Sequence, residues 1–144
     1  MRARLRPKLL VAPQARVVEV AVDAGGDVLP GVPLVSVEPT DEALDGSDVD
    51  TELWRLAGAL SSPAVTAWVL QRAAGTGRAP ATARVGVATV RAVPLPVEVD
   101  RWHRVADDLR SGRPLADAGP DLAAAHGLRP DDPVVAWWRA RLPR

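Results

Sequence analysis

The spacing of apolar residues changes along the chain, and the change divides it into a strand-like part and a helical part. Residues 9–12 and 16–22 are short apolar runs, and Val17-Val18-Glu19-Val20-Ala21-Val22 is rich in branched side chains that suit a pleated surface. Both predict strands. Asp23-Ala24-Gly25-Gly26 is a turn signal and predicts a β-hairpin. Residues 32–38 form the next predicted strand, with Pro30 and Pro33 at its start or on an edge. Residues 38–50 are acidic and poor in apolar side chains, which reads as a loop.

From Thr51 the period lengthens. Thr51 is a candidate cap for a helix carrying Leu53, Leu56, Ala57 and Leu60, one face at helical spacing. Ser61-Ser62-Pro63 starts a second helix, with Pro at its first position and Ala64, Val65, Trp68 and Val69 as its apolar face. Gly75-Thr76-Gly77 ends it as a glycine loop. A short strand at 84–87 and a helical turn at 89–92 follow, closed by Pro94 and Pro96. Beyond them lie an amphipathic helix at 101–110, an Ala-rich helix at 115–126 ending at Gly127, and a last helix opened by Asp132-Pro133. The order predicts an α+β fold, a small mixed or antiparallel sheet packed with helices, followed by a helical C-terminal tail. The expected division is a unit over residues 1–97 and the tail over 98–144.

Composition narrows the chemistry. The chain has 144 residues, 47% of them hydrophobic, without a single Cys, Asn, Phe, Tyr or Ile. A chain so apolar with zero net charge is expected to fold rather than stay disordered. Lack of Cys removes disulfides, thiol nucleophiles and thiolate metal sites. No apolar run reaches the length of a membrane span, and no apolar signal core follows the basic N-terminus, so a soluble, cytoplasmic protein is expected. The zero net charge hides a block pattern: +4 through Val22, −9 from Asp23 to Glu52, +5 from Leu53 to Arg104, then a balanced tail. Segregated charge of this kind allows one face to attract polyanions.

Catalytic constellations are missing from the pattern. His103 and His126 have no neighbouring ligand spacing, so no metal site is expected. No serine lies in a Gly-x-Ser-x-Gly elbow, and Lys8 has no glycine-rich lead. Gly75-Thr76-Gly77 follows a helix, where a dinucleotide loop would follow a strand. The acidic pairs Asp107-Asp108 and Asp131-Asp132 diverge on a helix and suit capping or solvation better than acid–base work. No catalytic residue and no cofactor is therefore expected. Binding remains, and arginine suits it, because its planar fork grips phosphate and guanine edges with paired hydrogen bonds. Arg72, Arg78 and Arg84 flank the glycine loop as candidate DNA-contacting residues, while Arg6, Lys8 and Arg16 are candidate phosphate contacts. Trp68 is expected in the core, and Trp102, Trp137 and Trp138 in interior packing or a partner's groove.

A family likeness joins these pieces. Arg6-Pro7-Lys8-Leu9-Leu10-Val11, an acidic connection, Leu56-Ala57-Gly58-Ala59-Leu60-Ser61-Ser62-Pro63-Ala64-Val65 with Trp68 following, the glycine loop, Arg84-Val85, and Val90-Arg91-Ala92-Val93-Pro94-Leu95-Pro96 succeed one another. This order resembles the C-terminal specificity domain of bacterial N6-adenine DNA methyltransferases, TaqI-like, of restriction-modification systems, over roughly residues 5–97. Ser61 stands where the family pattern usually has Asn. The resemblance implies recognition of double-stranded DNA. The family's catalytic Pro-Pro-aromatic motif is absent, since the chain has no Pro-Pro pair, and so is a convincing methyl-donor motif. The expectation is a non-catalytic DNA-recognition module acting with a separate methyltransferase subunit. The alternatives are a protein-interaction subunit docking through its Trp-rich tail, or a truncated remnant.

Overall fold

The computed structural model describes residues 5–44, 46–74 and 82–144. Its elements run β1 (Lys8–Val11), β2 (Gln14–Ala15), β3 (Val20–Asp23), β4 (Val35–Val37), α1 (Asp41–Leu44), α2 (Val49–Leu60), α3 (Pro63–Ala74), β5 (Ala83–Arg84), α4 (Val87–Ala92), α5 (Val99–Arg110), α6 (Leu115–Ala125) and α7 (Pro133–Arg139). The class is α+β: a three-stranded antiparallel sheet and a two-stranded ladder, packed with helices.

Strand β1 is the centre of the sheet, in the order β3-β1-β4. Leu9 faces Val22 on one side and Val37 on the other. Leu9 and Val11 are fully buried, while Leu10 between them is half-buried, the alternation of a strand with one face on the core. That face meets Leu53, Leu60, Val65 and Val69 from α2 and α3. The hairpin expected after Gly26 does not form, because β3 and β4 flank β1 and never pair with each other. Asp23 turns the chain away instead: its carboxylate accepts the amides of Asp27 (3.0 Å) and Val28 (3.1 Å). Gly26, at φ 70°, lies so close to the Arg6–Pro7 backbone that a Cβ would sit 2.6 Å from the Arg6 carbonyl carbon.

The predicted strand at 16–22 is also interrupted. Val17 and Val18 are buried between β2 and β3, and the Val18 amide donates to the Thr66 hydroxyl of α3 at 3.1 Å. With that amide taken by a helix, the ladder stops there. Strand β4 starts after Pro33, whose missing N–H ends pairing earlier in the predicted run. The acidic segment expected to be a loop carries the single turn α1 and the start of α2. Asp48, not Thr51, caps α2: its carboxylate accepts the Thr51 amide at 2.8 Å and the Thr51 hydroxyl at 2.7 Å. These two bonds hold the Asp48 carboxyl below its ordinary pKa. The Ser62-Pro63 start of α3 is found as read, with the Ser62 hydroxyl accepting the Ala64 amide at 3.0 Å.

The C-terminal helices close over α2 and α3. Helix α5 packs on α2 and α6, and α7 packs on α3. A second apolar cluster of Val105, Ala118 and Leu122, with Leu109 and Leu115 against it, joins α5 to α6. Trp102 binds this layer to α2 by donating its indole N–H to the Arg55 carbonyl at 2.7 Å. Trp138 is fully buried, and its ring fills the space over Gly119, where a Cβ would lie 2.5 Å from Cζ3. Pro120 sits inside α6 and has no N–H to give the Ala116 carbonyl. Arg139 of α7 supplies the missing donor, through Nη2 at 3.0 Å and Nε at 3.2 Å.

Candidate functional site

The basic residues singled out in the sequence occupy different environments. Lys8 is 0% exposed. Its ammonium donates to Asp23 Oδ2 at 2.6 Å and to the Arg6 carbonyl at 2.9 Å. A phosphate contact from Lys8 would expose a buried carboxylate and unpair two acceptors, so Lys8 is a structural residue and not a backbone-binding one. The Lys8 hydrogen bond, helped by the amides of Val28 and Asp27, holds the Asp23 carboxyl below the usual aspartate range against the opposing effect of burial.

Arg84 lies on the two-stranded ladder, and Arg16 follows the end of its first strand. Gln14 pairs with Arg84 and Ala15 with Ala83, so alternate side chains point to opposite faces. Ala83 points into the core. Gln14 reaches across the other face to the Thr82 hydroxyl, Nε2 to Oγ1 at 3.0 Å. Arg84 shares that outer face; Arg16 follows the end of β2 in a bend, and both side chains are exposed. The ladder is short, but α3 supports β5 from beneath.

Helix α7 extends this surface. Arg141, just past its end, donates from Nε to the Arg16 carbonyl at 2.9 Å, and its guanidinium lies 4.9 Å from the Trp137 ring centroid. Trp137 is 38% exposed, unlike Trp138 beside it. On α3 the same pairing recurs, with the exposed Arg72 guanidinium 4.7 Å from the Trp68 ring centroid. Arg6 is exposed too, but precedes β1 at the end where Lys8 meets Asp23, away from the strand end that leads to β2. Arg78 lies outside the described residues.

Charge pairing separates these arginines from those of the helical ion pairs, though Arg91 and Arg104 too have no carboxylate partner among the described residues. The helical layer neutralises much of its own charge: Arg55 pairs with Glu52, Arg110 with Asp50, Arg101 with Glu98 and Arg113 with Asp108 and Asp121. The Arg113 guanidinium is held above its already high pKa, first by the Asp121 hydrogen bond. Among the described residues, Arg6, Arg16, Arg72 and Arg84 have no carboxylate partner. The arrangement presents guanidinium donors to solvent and suits an anionic ligand.

Sequence reasoning missed the contribution of Arg141 and Trp137, because Arg141 meets Arg16 across 125 positions. The signal available was the Trp137–Arg141 spacing, four residues on one helical face. His126 ends α6 with its Nε2 buried and unpartnered among the described residues, and burial pushes its pKa down against a hydrogen bond to the Ala59 carbonyl. The described residues hold no cluster of His, Asp and Glu able to bind a metal ion. None of their helices is long and apolar enough to cross a membrane. No family model matches the chain, and neither curated proteins nor solved structures yielded a match.

Proposed function

We propose that this chain is a cytoplasmic, non-catalytic DNA-recognition module, similar in role to the specificity domain of an N6-adenine DNA methyltransferase, and that it acts with a separate catalytic subunit. The observation that carries this reading is the outer face of the β2–β5 ladder. There Arg84 stands exposed, with Arg16 exposed just past β2; among the described residues neither has a carboxylate partner, and Arg141 is docked on the Arg16 carbonyl. Guanidinium groups on and beside a helix-backed ladder fit a phosphate backbone or guanine edges. Arg72, on the helix beneath β5, and Arg6 would add contacts at the margins. Lys8 has no part in it.

Binding of a fluorescein-labelled duplex, followed by anisotropy across a salt series, tests the reading. Arg16→Gln and Arg84→Gln are each expected to weaken binding and to lower the slope of log affinity on log salt by about one. No binding at low salt, with or without a methyltransferase subunit, would overturn it. Equal binding by wild type and the double variant would remove the ladder from the interface.

A further inference from the structure

An apolar recess lies away from the basic ladder, beside an edge strand of the sheet. It is a cleft of about 360 Å³ between β4, α2 and the segment entering α5. Val37, Leu53, Leu56, Leu95 and Trp102 give it apolar walls. Glu38 and Glu52 line it too, with Arg55. Glu52 is held by Arg55 at 2.7 Å. Glu38 is exposed and, among the described residues, has no basic partner; nor have Asp41 and Glu42, three and four positions on, which are also exposed. The Nε of Arg55 is buried with no acceptor.

Three properties of this place act together. The recess is apolar enough to accept a bulky aliphatic side chain, and its size exceeds one such side chain. At its rim Glu38, with Asp41 and Glu42 beside it, carries negative charge that no basic side chain among the described residues pairs, while Glu52 is neutralised by Arg55. Among the described residues strand β4 pairs only with β1, so its outer edge has no ladder partner and can take an extended segment. Apolar surface also runs on along the chain, since Leu95 at the cleft is 56% exposed and Val97 and Val99 after it are exposed as well. An elongated apolar surface with an acidic rim is complementary to a peptide, not to a compact molecule.

We infer that this cleft docks an extended segment of a partner protein that inserts leucine-like side chains and flanks them with lysine or arginine. The basic flanks meet Glu38, Asp41 and Glu42, and the aliphatic side chains cover Val37, Leu56 and Leu95. This interface is independent of the arginine ladder, so one chain holds an anionic and a cationic partner on different surfaces.

The test uses the full chain and three labelled peptides of equal length: alternating lysine and leucine, alternating lysine and serine, and alternating glutamate and leucine. Anisotropy titrations at physiological salt are expected to show the lysine–leucine peptide binding at least about tenfold tighter than either control, since each control removes one of two complementary terms. Glu38→Lys and Leu95→Glu, both exposed positions, are each expected to weaken that binding about tenfold, with circular dichroism unchanged. Arg129→Gln, remote from the cleft, leaves it unaltered. Equal binding by the lysine–serine peptide would reduce the surface to charge alone and overturn the inference. So would equal binding by the glutamate–leucine peptide, or full binding by both cleft variants. Sedimentation showing a dimer that Leu95→Glu dissociates would make a second copy the occupant, which also overturns it.

Discussion

Lys8 and Asp23 face each other directly across the β1–β3 register, and their side chains close the pair at 2.6 Å with the ammonium fully buried. The pair ties the first strand to the turn that follows the third. Because Asp23 also accepts two amides of that turn, the turn and the ion pair form one unit.

Removing one partner of this pair is expected to destabilise the chain more than removing both. Asp23→Leu strands a buried ammonium, whereas the Lys8→Met, Asp23→Leu double variant strands neither charge. Urea denaturation of the three proteins at neutral pH checks the order. The pH dependence has a definite sign. The folded pKa of Asp23 lies below its unfolded value of 3.8, so its contribution is complete above 3.8 and disappears as pH falls through the lower folded value. A urea series on the acid side of neutrality is expected to show a shallower acid loss in Asp23→Asn than in wild type.

Two glycines in the helical layer are expected to respond oppositely to alanine. At Gly58, inside α2, a new methyl would meet Ala106, Leu109 and Leu122 at 3.8 Å, ordinary contact distance. Gly58→Ala is expected to stabilise by about 1 kcal/mol, through helix propensity and a less disordered unfolded chain. At Gly119 the same methyl would enter the Trp138 ring, and Gly119→Ala is expected to cost about 1–3 kcal/mol through overpacking. Thermal unfolding followed by circular dichroism should move the two midpoints in opposite directions.

Thr66→Val keeps the shape of a fully buried side chain and removes the acceptor of the Val18 amide. The expected cost is about 1–3 kcal/mol, the penalty for a buried donor left unpaired. Hydrogen exchange locates the effect: the Val18 amide should lose protection beyond the global change. An unaltered Val18 exchange rate would show that the bond does not hold the segment between β2 and β3.

Local signals in the sequence were legible wherever one stretch contained both the group and its partner. Ser62-Pro63 announces α3 because cap and capped amide are two residues apart, and Asp132 opens α7 in the same way. The α+β class followed from the change of apolar period. Pairings across distance were not legible. Nothing near residue 18 announces that Thr66 will take its amide, so the strand predicted over 16–22 begins only at Val20. The turn at 23–26 looked like a hairpin because its glycines allow one, while the choice of β1 as the central strand depended on Leu9 and Val11 burying against helices still to come. Lys8 read as a phosphate contact because basic neighbours surround it, and only the cross-strand register brings Asp23 to it. Arg16 and Arg84 were both named, but the ladder that brings their segments together is two residues long, below the length at which alternation is visible.

The proline in α6 has a consequence for the order in which the chain can finish folding. Until α7 has docked, the middle turn of α6 keeps an Ala116 carbonyl that only water can satisfy. The turn becomes complete when α7 swings back and its arginine fills the gap. The helix is thus finished by a residue that lies outside it, and a nascent chain stopped before Arg139 would carry an α6 that frays at its centre rather than at its ends.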